Sequence, residues 1–426
     1  MIVILFLTFL NDTTSLYFLH ALSYNGIMKV RYNYRCYPTD QQRKALSRLF
    51  GCIRTVWNDA LSLCKKSEKF PKNGDLQKLF ITEAKKTSTR NWLDEVSAVP
   101  LQQSIRDLGV AFKNYFDSKR GKRKGPKIGT PQFKKKHHKQ SARFTVSGFS
   151  LKGRRVYLAK IGQLELVWSR PLPSAPSSVT ITKDPAGRYF LSFVVEAQAE
   201  IKPAKNESIG IDLGLKIFAA LSSGEKIDSP DYSKLDRRLR RAQRQLSRRL
   251  KHSKRKEAAR LAVAKLHARQ RDIRKDFLHK LSTRVIIENQ VIALEDLNVN
   301  GMIKNRHLSR SIGHAGWSEF RSMCSNKAIK FGRDFVVIDR WEPTSQVCSV
   351  CNFKWGKLDL SVRTVSCIKC GVQNCRDINA AKNIETIGVG QIHDVKWAGR
   401  ECKTLSGAVL AELSTQLEVD RSSVAC

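Results

Sequence analysis

Two cysteine pairs near the end of the chain constrain its fold more than any other feature. Cys348 and Cys351 form a C-x2-C pair, fifteen residues follow, and Cys367 and Cys370 form a second pair. Four thiolates at this spacing can close a tetrahedral shell around one Zn²⁺. Because such a shell leaves no position for a substrate, we expect a structural zinc that folds a small ribbon. The alternative, unrelated buried cysteines, requires two such pairs to arise by chance.

The charge of the chain points to a polyanionic partner. Its 426 residues include 77 Lys plus Arg and 38 Asp plus Glu, a net charge of +39. Self-repulsion of this size is most simply offset by nucleic acid, whose phosphates bind cationic side chains. A membrane surface is the alternative, but there is no lipidation motif and no isolated basic amphipathic anchor. We therefore predict a nucleic-acid partner and no membrane.

The remaining cysteines indicate a reducing compartment. Eleven cysteines are present, and those outside the two pairs are scattered along a long chain. A disulfide framework is typical of short secreted proteins, so free buried thiols fit this chain better. We expect a cytoplasmic, nucleoid-associated protein.

Residues 1–27 differ from the rest of the chain. An apolar run from Ile2 to Leu10 is too short to span a bilayer, no basic segment precedes it and no cleavage site is clear. A charged, periodic sequence begins at Met28. We interpret residues 1–27 as a mis-annotated extension, with a genuine extension or cryptic signal peptide as the alternatives.

The first half of the chain alternates between three patterns. Val30 to Tyr37 alternates like a strand, and Thr39 with Gln42 then forms a capping-box signature before helical stripes over residues 38–118. A basic loop follows at 117–139; it is either a solvated linker or a phosphate-contacting loop whose aromatic residues stack on bases. In residues 142–200, apolar residues alternate with polar ones and turn signals interrupt the pattern. This predicts a small β-barrel that the first strand completes.

The second half combines predicted strands with a long basic helical segment. A predicted strand begins at Ile209, after a polar linker. Residues 232–285 are helical, basic and carry an apolar stripe, with Ser253 as a possible turn. A free basic helix is one interpretation; a hairpin that packs on one face and offers the other to nucleic acid fits better.

Three acids lie at the ends of separate predicted elements. Asp212 and Glu295 each end an apolar strand, and Asp377 opens a helix after the cysteine pairs. Mg²⁺ prefers hard oxygen ligands, and two such ions can activate a water and stabilise the leaving oxygen of a phosphodiester. Each acid alone could be a turn or cap residue. Their joint order in so basic a chain favours a two-metal nuclease.

These segments resemble the TnpB family of OrfB-type transposases, compact relatives of type V CRISPR effector nucleases. The resemblance covers the chain from Met28 to about Gly388. It is carried by the sequences IGIDLG from Ile209, LEDLN from Leu294, PTSQVCSVC from Pro343 and RDINAAKNI from Arg376. Softer matches are Trp57-Asn58, the loop ending FKKK and the RPLP segment at 170–173.

The resemblance implies an α/β multidomain protein. Its core would be a RuvC-like nuclease domain of RNase H fold with catalytic acids Asp212, Glu295 and Asp377, which would bind Mg²⁺. It also implies a guide RNA made from the transposon end and a short flanking motif read on double-stranded target DNA. The family usually has an acid two residues before its last catalytic Asp, and here Cys375 stands in that place. Because Asp377 is kept, we expect activity to survive, and the substitution bears on the local metal geometry or on the pKa of the site.

Pattern and resemblance together give a domain scheme. The expected segments are 1–27, an extension; 28–37, the first strand of a wedge β-barrel; 38–129, a helical recognition domain; 130–205, the wedge β-barrel; 206–342, the nuclease domain with its basic hairpin at 232–285; 343–375, the zinc ribbon; 376–388, the last nuclease helix; and 389–426, a tail.

The predicted function is that of an RNA-guided, Mg²⁺-dependent DNA endonuclease of a transposable element. One alternative is a guide-dependent DNA-binding repressor that has lost cleavage; the intact acids speak against it. The other is a transposase that acts directly on transposon ends without RNA. The oligomeric state stays open.

Overall fold

The computed structural model describes residues 27–123, 125–359 and 361–397. These divide into two compact units, one of residues 28–197 and 240–266 and the other of residues 198–239 and 267–397. Apart from Ile27, the predicted extension lies outside the described residues, as does the tail from residue 398. Residues 389–397, which the sequence assigned to the tail, belong to the last helix.

Eight strands form the β part of the first unit. They are β1 Met28–Cys36, β2 Gln140–Thr145, β3 Phe149–Lys152, β4 Arg155–Leu158, β5 Gly162–Leu164, β6 Leu166–Val167, β7 Ser178–Lys183 and β8 Tyr189–Ala197. One sheet has the order β2-β7-β8-β1-β6, and the other has the order β3-β4-β5. The first strand pairs antiparallel with β8 along its whole length, from Met28 opposite Ala197 to Cys36 opposite Tyr189.

The predicted participation of the first strand in this β part is confirmed, but the hydrogen-bonded order differs from one closed barrel. In this part of the described chain, β2 and β6 are the edges of an open five-stranded sheet, and β3 to β5 pair only among themselves. The reason is local: β3 to β5 are short strands, and the turn at Gly153 returns the chain at once onto its neighbour.

Three helices of the first unit pack with this sheet. They are α1 Asp40–Lys66, α2 Asn73–Gln77 and α3 Ala98–Lys119. The predicted capping box is confirmed: the Thr39 hydroxyl accepts from the Gln42 N–H, and the Gln42 side chain accepts from the Thr39 N–H. The apolar faces of α1 and α3 share one core with strands such as β7 and β8. The helical stripes predicted from the sequence are therefore core positions.

The basic loop after α3 is tied to α1 within the same unit. The indole N–H of Trp57 donates to the Gln132 carbonyl at 3.0 Å. Asn58 both donates to the Lys134 carbonyl at 3.1 Å and accepts from the Lys134 N–H at 2.8 Å. Since Phe133 between them is 46% exposed, the loop displays an aromatic ring among cations, as a base-stacking loop requires.

A five-stranded mixed sheet forms the centre of the second unit. Its strands are β9 Asn206–Leu213, β10 Ala219–Leu221, β11 Lys226–Ile227, β12 Asn289–Glu295 and β13 Asp334–Ile338, in the order β11-β10-β9-β12-β13. Strands β9 to β11 are antiparallel, whereas β9, β12 and β13 run parallel. The parallel strands end at the same edge, and this edge carries the site.

Six helices follow in the described chain after β8, and residues 240–266 of the first two belong to the first unit. They are α4 Ser233–Ser247, α5 Lys254–Glu288, α6 Val299–Met302, α7 Ser309–Ala315, α8 Trp317–Phe331 and α9 Arg376–Trp397. The predicted hairpin is present as α4 and α5, and the turn between them includes Ser253. The apolar end of α5 and the inner face of α8 pack on β9 and β12 around Phe218 and Phe320. The predicted end of the last helix at residue 388 is wrong, because α9 continues to Trp397.

Two glycines let α9 lie directly against the sheet. A Cβ on Gly210 in β9 would come within 2.0 Å of the Ala381 carbonyl oxygen, and one on Gly388 would come within 2.5 Å of the Ala293 Cβ. Gly388 therefore sits inside the helix as a packing residue, which explains why the helix does not stop there. A glycine inside a helix costs only about 1 kcal/mol relative to alanine, and close packing can outweigh that cost.

A two-stranded ribbon precedes α9. It consists of β14 Thr364–Ser366 and β15 Gln373–Cys375, which pair antiparallel, with Cys375 opposite Thr364. Cys367 and Cys370 lie in the turn that joins the two strands. The ribbon runs directly into α9, because Arg376 follows β15 without a linker.

Candidate functional site

Two of the three predicted acids lie side by side at the edge of the mixed sheet. Leu294 on β12 is paired with Ile211 on β9, so Glu295 and Asp212 each follow a paired residue on neighbouring parallel strands. Both side chains are half-buried. The sequence places them there because a continuous apolar run on each strand ends in the acid.

The third acid reaches the same edge from α9. Asp377 lies in the first turn of this helix, where the helix dipole favours a negative charge, and its side chain is 21% exposed. Asp212 experiences the charges of both Glu295 and Asp377. The structure therefore brings the three acids into one electrostatic cluster.

The three acids do not form a closed ligand shell. Within the described residues, only the four ribbon cysteines form a group of three or more metal-binding side chains whose donor atoms all lie within 4.8 Å of one another. Like charge disfavours the close approach of three carboxylates, and a bound cation would offset that repulsion.

Burial and like charge change the acidity of two of these carboxyls. Burial, followed by the charges of Glu295 and Asp377, raises the pKa of Asp212 to about 7. Burial, followed by the charge of Asp296, raises the pKa of Glu295. Clusters of carboxylates whose pKa values are raised in this way are typical of functional sites.

Asp296, next to Glu295, is held differently. Its carboxylate accepts hydrogen bonds from Arg321 on α8 and from Arg340 after β13. Burial raises the pKa of Asp296, but the hydrogen bonds from the two arginines outweigh it and leave the pKa below its usual range. Asp296 is therefore an ion-paired neighbour of the cluster and not a free ligand.

Cations from the ribbon and from β11 surround Asp377. The Arg363 guanidinium donates to both carboxylate oxygens of Asp377, at 3.2 and 3.5 Å. Cys375, which stands where the family usually has an acid, lies beside the ammonium group of Lys226. Burial raises the pKa of the Cys375 thiol, but the hydrogen bond with Lys226 and the backbone N–H groups of Ile378 and Asp377 together outweigh it and lower the pKa. An acidic side chain at position 375 would therefore also lie beside the ammonium group of Lys226.

The four ribbon cysteines form a group that could hold a metal ion. Their sulfurs lie within 4.8 Å of one another, with Cys348 to Cys370 at 3.8 Å and Cys351 to Cys367 at 3.5 Å. Burial disfavours the thiolate of Cys367, but backbone N–H groups of Cys370 and Lys369, together with the neighbouring sulfurs, lower its pKa. The pKa of its neighbour Cys351 is raised in turn, so the negative charge of this group is favoured at Cys367. Sulfurs that receive backbone N–H bonds suit a thiolate-ligated metal.

Two asparagines fasten this ribbon to α9. Asn379 is 1% exposed; it donates to the Val347 carbonyl at 2.7 Å and accepts from the Ser349 N–H at 2.8 Å. Asn383, one turn later, donates to the Thr344 and Val347 carbonyls at 2.7 and 2.8 Å. The segment that carries Cys348 is thus bonded to the helix that carries Asp377.

Sequence patterns alone assign no role to Arg363, Lys226, Asn379 or Asn383. The spacing of the two asparagines four residues apart on a helix, directly after Asp377, is a usable signal for one shared face. Arg363 and Lys226 have no such signal, because only the folded chain brings β11 and the ribbon to Asp377. Within the described part of the chain, no helix combines the length and apolarity needed to cross a membrane.

Family models match three segments of the chain. A model described as "Probable transposase" (OrfB_IS605) matches residues 192–306, and one described as "Cas12f1-like, TNB domain" matches residues 317–384. A third, described as "Helix-turn-helix domain", matches residues 28–69. In the structure this last segment is β1 followed by the single long helix α1.

Two curated proteins are similar to most of the chain. A "Putative RNA-guided DNA endonuclease" of Streptomyces pristinaespiralis is 44% identical over 370 residues, which cover 85% of this chain and 90% of that protein. The protein InsQ of Escherichia coli K12, whose name is otherwise the same, is 29% identical and covers 84% and 92%.

A solved structure is similar in fold. It is the cryo-EM structure of a Cas12f1-sgRNA-target DNA complex, with a TM-score of 0.51 and 12% identity, and it covers 84% of this chain and 98% of that chain.

Proposed function

Since this chain belongs to the TnpB family of OrfB-type transposases, we propose that it is the RNA-guided DNA endonuclease of a transposable element and cuts DNA with Mg²⁺. The observation that carries the proposal is the convergence of Asp212, Glu295 and Asp377 at one edge of the mixed sheet. They come from β9, β12 and α9, which are far apart in sequence. Like charges brought together from three elements disfavour the folded state, and metal binding would offset this cost.

The three carboxylates would hold the metal. A bound pair of Mg²⁺ ions supplies an activated water and stabilisation of the leaving oxygen. Asp212 is the acid whose pKa responds to the charges of both of the others, so it would help to hold the metal together with each of them. Arg363 and Lys226 lie beside Asp377 and bring positive charge to the place where a phosphate would enter.

The four ribbon cysteines would hold one structural zinc. All four positions of the shell are taken by sulfur, so the ion would stabilise the ribbon and take no part in cutting. Asn379 and Asn383 would then transmit the rigidity of the ribbon to α9 and Asp377.

The partners proposed are a guide RNA from the transposon end and double-stranded target DNA. The two similar curated proteins are named for RNA guidance, and the net charge of +39 provides the cations that two polyanions need. Base pairing would read the target, and residues 38–205 would act as the recognition and wedge domains. Such a protein acts where the chromosome is, in the cytoplasm and on the nucleoid.

The proposal is tested by purification with co-expressed guide RNA and by cleavage of a matched target. We expect RNA to copurify and the target to be cut only with Mg²⁺ and a matching guide. Binding to the matched target without cutting would support the repressor alternative. Cutting or joining of transposon ends without RNA would support the direct transposase alternative.

A further inference from the structure

One tryptophan near the proposed active site is displayed to solvent. Trp341 is 84% exposed, the most exposed aromatic side chain in the described residues. A tryptophan side chain can bury 150 to 250 Å² of surface, roughly, so leaving it in water forgoes a large stabilisation. An exposed aromatic ring next to a proposed active site can serve as a contact for a ligand.

Trp341 lies at the edge of the sheet that carries the acids. Ile338, the last residue of β13, is paired with Glu295 on β12. The N–H of Asp296 also donates to the Ile338 carbonyl at 3.1 Å. The turn that bears Trp341 therefore leaves the sheet beside Glu295.

Hydrogen bonds hold the backbone of this turn in place, although the indole ring itself is exposed to solvent. The N–H of Trp341 donates to the Asp339 carboxylate at 2.9 Å, and the N–H of Glu342 donates to the Asp339 carbonyl at 3.3 Å. The neighbouring Arg340 is bonded to Asp296. The backbone under the indole is thus anchored next to Glu295, as a preorganised binding platform requires.

The indole lies among charges of both signs. Arg340 and Arg321 pair with the single carboxylate of Asp296, and their side chains are 39% and 44% exposed. Asp339, whose carboxylate accepts from the Trp341 N–H, and the adjacent Glu342 bring negative charge to the same turn. The exposed flat ring, and not the local charge, is therefore what this turn offers to a nucleic acid, because every base can stack on an aromatic side chain.

Resting on the proposed function, we propose that Trp341 stacks on an unpaired base of the DNA strand held at the carboxylate cluster. Bases inside a duplex already stack on both neighbours, so a free base face is offered only by a strand that has been opened. Stacking would fix the position of the strand relative to the acids. It would not read sequence, because every base has an aromatic face.

The test uses the protein with its guide RNA and a target that carries 2-aminopurine, a base whose fluorescence falls on stacking, at successive positions of the opened strand. We expect quenching at one or two positions near the cut. Trp341→Ala should abolish this quenching and weaken cleavage at low target concentration by about tenfold, as removal of one stacked base does. Trp341→Phe should restore most of both.

Ile368→Ala is the matched control, because Ile368 is an equally exposed apolar residue (86%) of the same unit that lies in the ribbon turn. It should leave quenching and cleavage unchanged. The inference is overturned if the wild-type protein cuts and the Trp341→Ala variant shows the same 2-aminopurine quenching and the same cleavage as the wild type. It is also overturned if the alanine variant loses guide RNA binding, or melts at a lower temperature than wild type.

Quenching by a wild-type complex that does not cut supports stacking and contradicts only the proposed function. The two proposals therefore fail on different readouts.

Discussion

At the scale of single residues, two adjacent acids at the end of β12 have opposite environments. Glu295 is a half-buried carboxyl whose pKa is raised by burial and by Asp296, whereas Asp296 is neutralised by two arginines. Adjacent residues of a strand point to opposite sides, so one acid faces the cluster and the other faces α8 and Arg340. Glu295, a proposed metal ligand, can therefore be compared directly with Asp296, an adjacent acid that is not proposed to bind metal.

The first prediction concerns these acids. Asp212→Asn, Glu295→Gln and Asp377→Asn should each slow cleavage by at least about a hundredfold, because metal-bound carboxylates contribute several kcal/mol to the transition state. RNA and DNA binding, measured by gel shift, should change little, because affinity comes from many cationic contacts.

Asp296→Asn is the control for Glu295→Gln. It should change cleavage by less than about fivefold, since its arginine partners are partly exposed and such ion pairs contribute about 1 kcal/mol or less. A full-rate Glu295→Gln variant would remove Glu295 from the proposed site.

At the scale of elements, the contact between β9 and α9 places Asp377. We predict that Gly210→Ala destabilises the protein severely, because its Cβ would fall within 2.0 Å of the Ala381 carbonyl oxygen and within 2.6 Å of the Glu385 backbone nitrogen. Either the helix moves away from the sheet or the protein unfolds, and both outcomes should abolish cleavage. Thermal unfolding and cleavage are the measurements.

Gly51→Ala is the matched substitution. Gly51 lies within α1, and outside the backbone of that helix no heavy atom comes within 4 Å of the place that a Cβ would take. Alanine there should raise the stability by about 0.5 to 1 kcal/mol through helix propensity. An equal loss of stability in both variants would contradict the packing argument.

The ribbon is the second element on which Asp377 depends. We predict one zinc per chain, and Cys367→Ser should release it and lower cleavage, because Asn379 and Asn383 hold the Cys348 segment on α9. Metal analysis of the purified protein, together with cleavage, measures both effects. Cys375→Ser is the control and should retain the zinc, since Cys375 lies outside the four-sulfur group. Zinc-free Cys367→Ser protein with full activity would refute the coupling.

At the scale of the whole molecule, the excess of positive charge should dominate binding. We predict that affinity for target DNA falls by at least about a thousandfold between 50 and 200 mM salt, as for proteins that neutralise several phosphates. Replacement of Arg240, Arg241 and Arg244 on α4 by glutamine should reduce the slope of log affinity against log salt. Unchanged slopes would mean that this helix contacts no phosphate. Filter binding at several salt concentrations gives the slopes.

Much of this protein could be predicted from local sequence. The cysteine spacing, the capping box at Thr39, the strands that end in Asp212 and Glu295, and the division of the basic hairpin near Ser253 all rest on patterns of a few residues. Such patterns are determined by backbone geometry and side-chain chemistry that act over one or two turns.

Tertiary structure alone decided the rest. The continuation of α9 through Gly388 depends on Ala293, a distant residue that takes the space of a Cβ. The pairing of Arg363 with Asp377, and of Asp296 with Arg321 and Arg340, joins segments that only the fold brings together. The open order of the first sheet depends likewise on which strands meet. The sequence pattern determines where each strand or helix carries an acidic residue. Packing between distant elements determines which side chains surround each acid, and so its pKa.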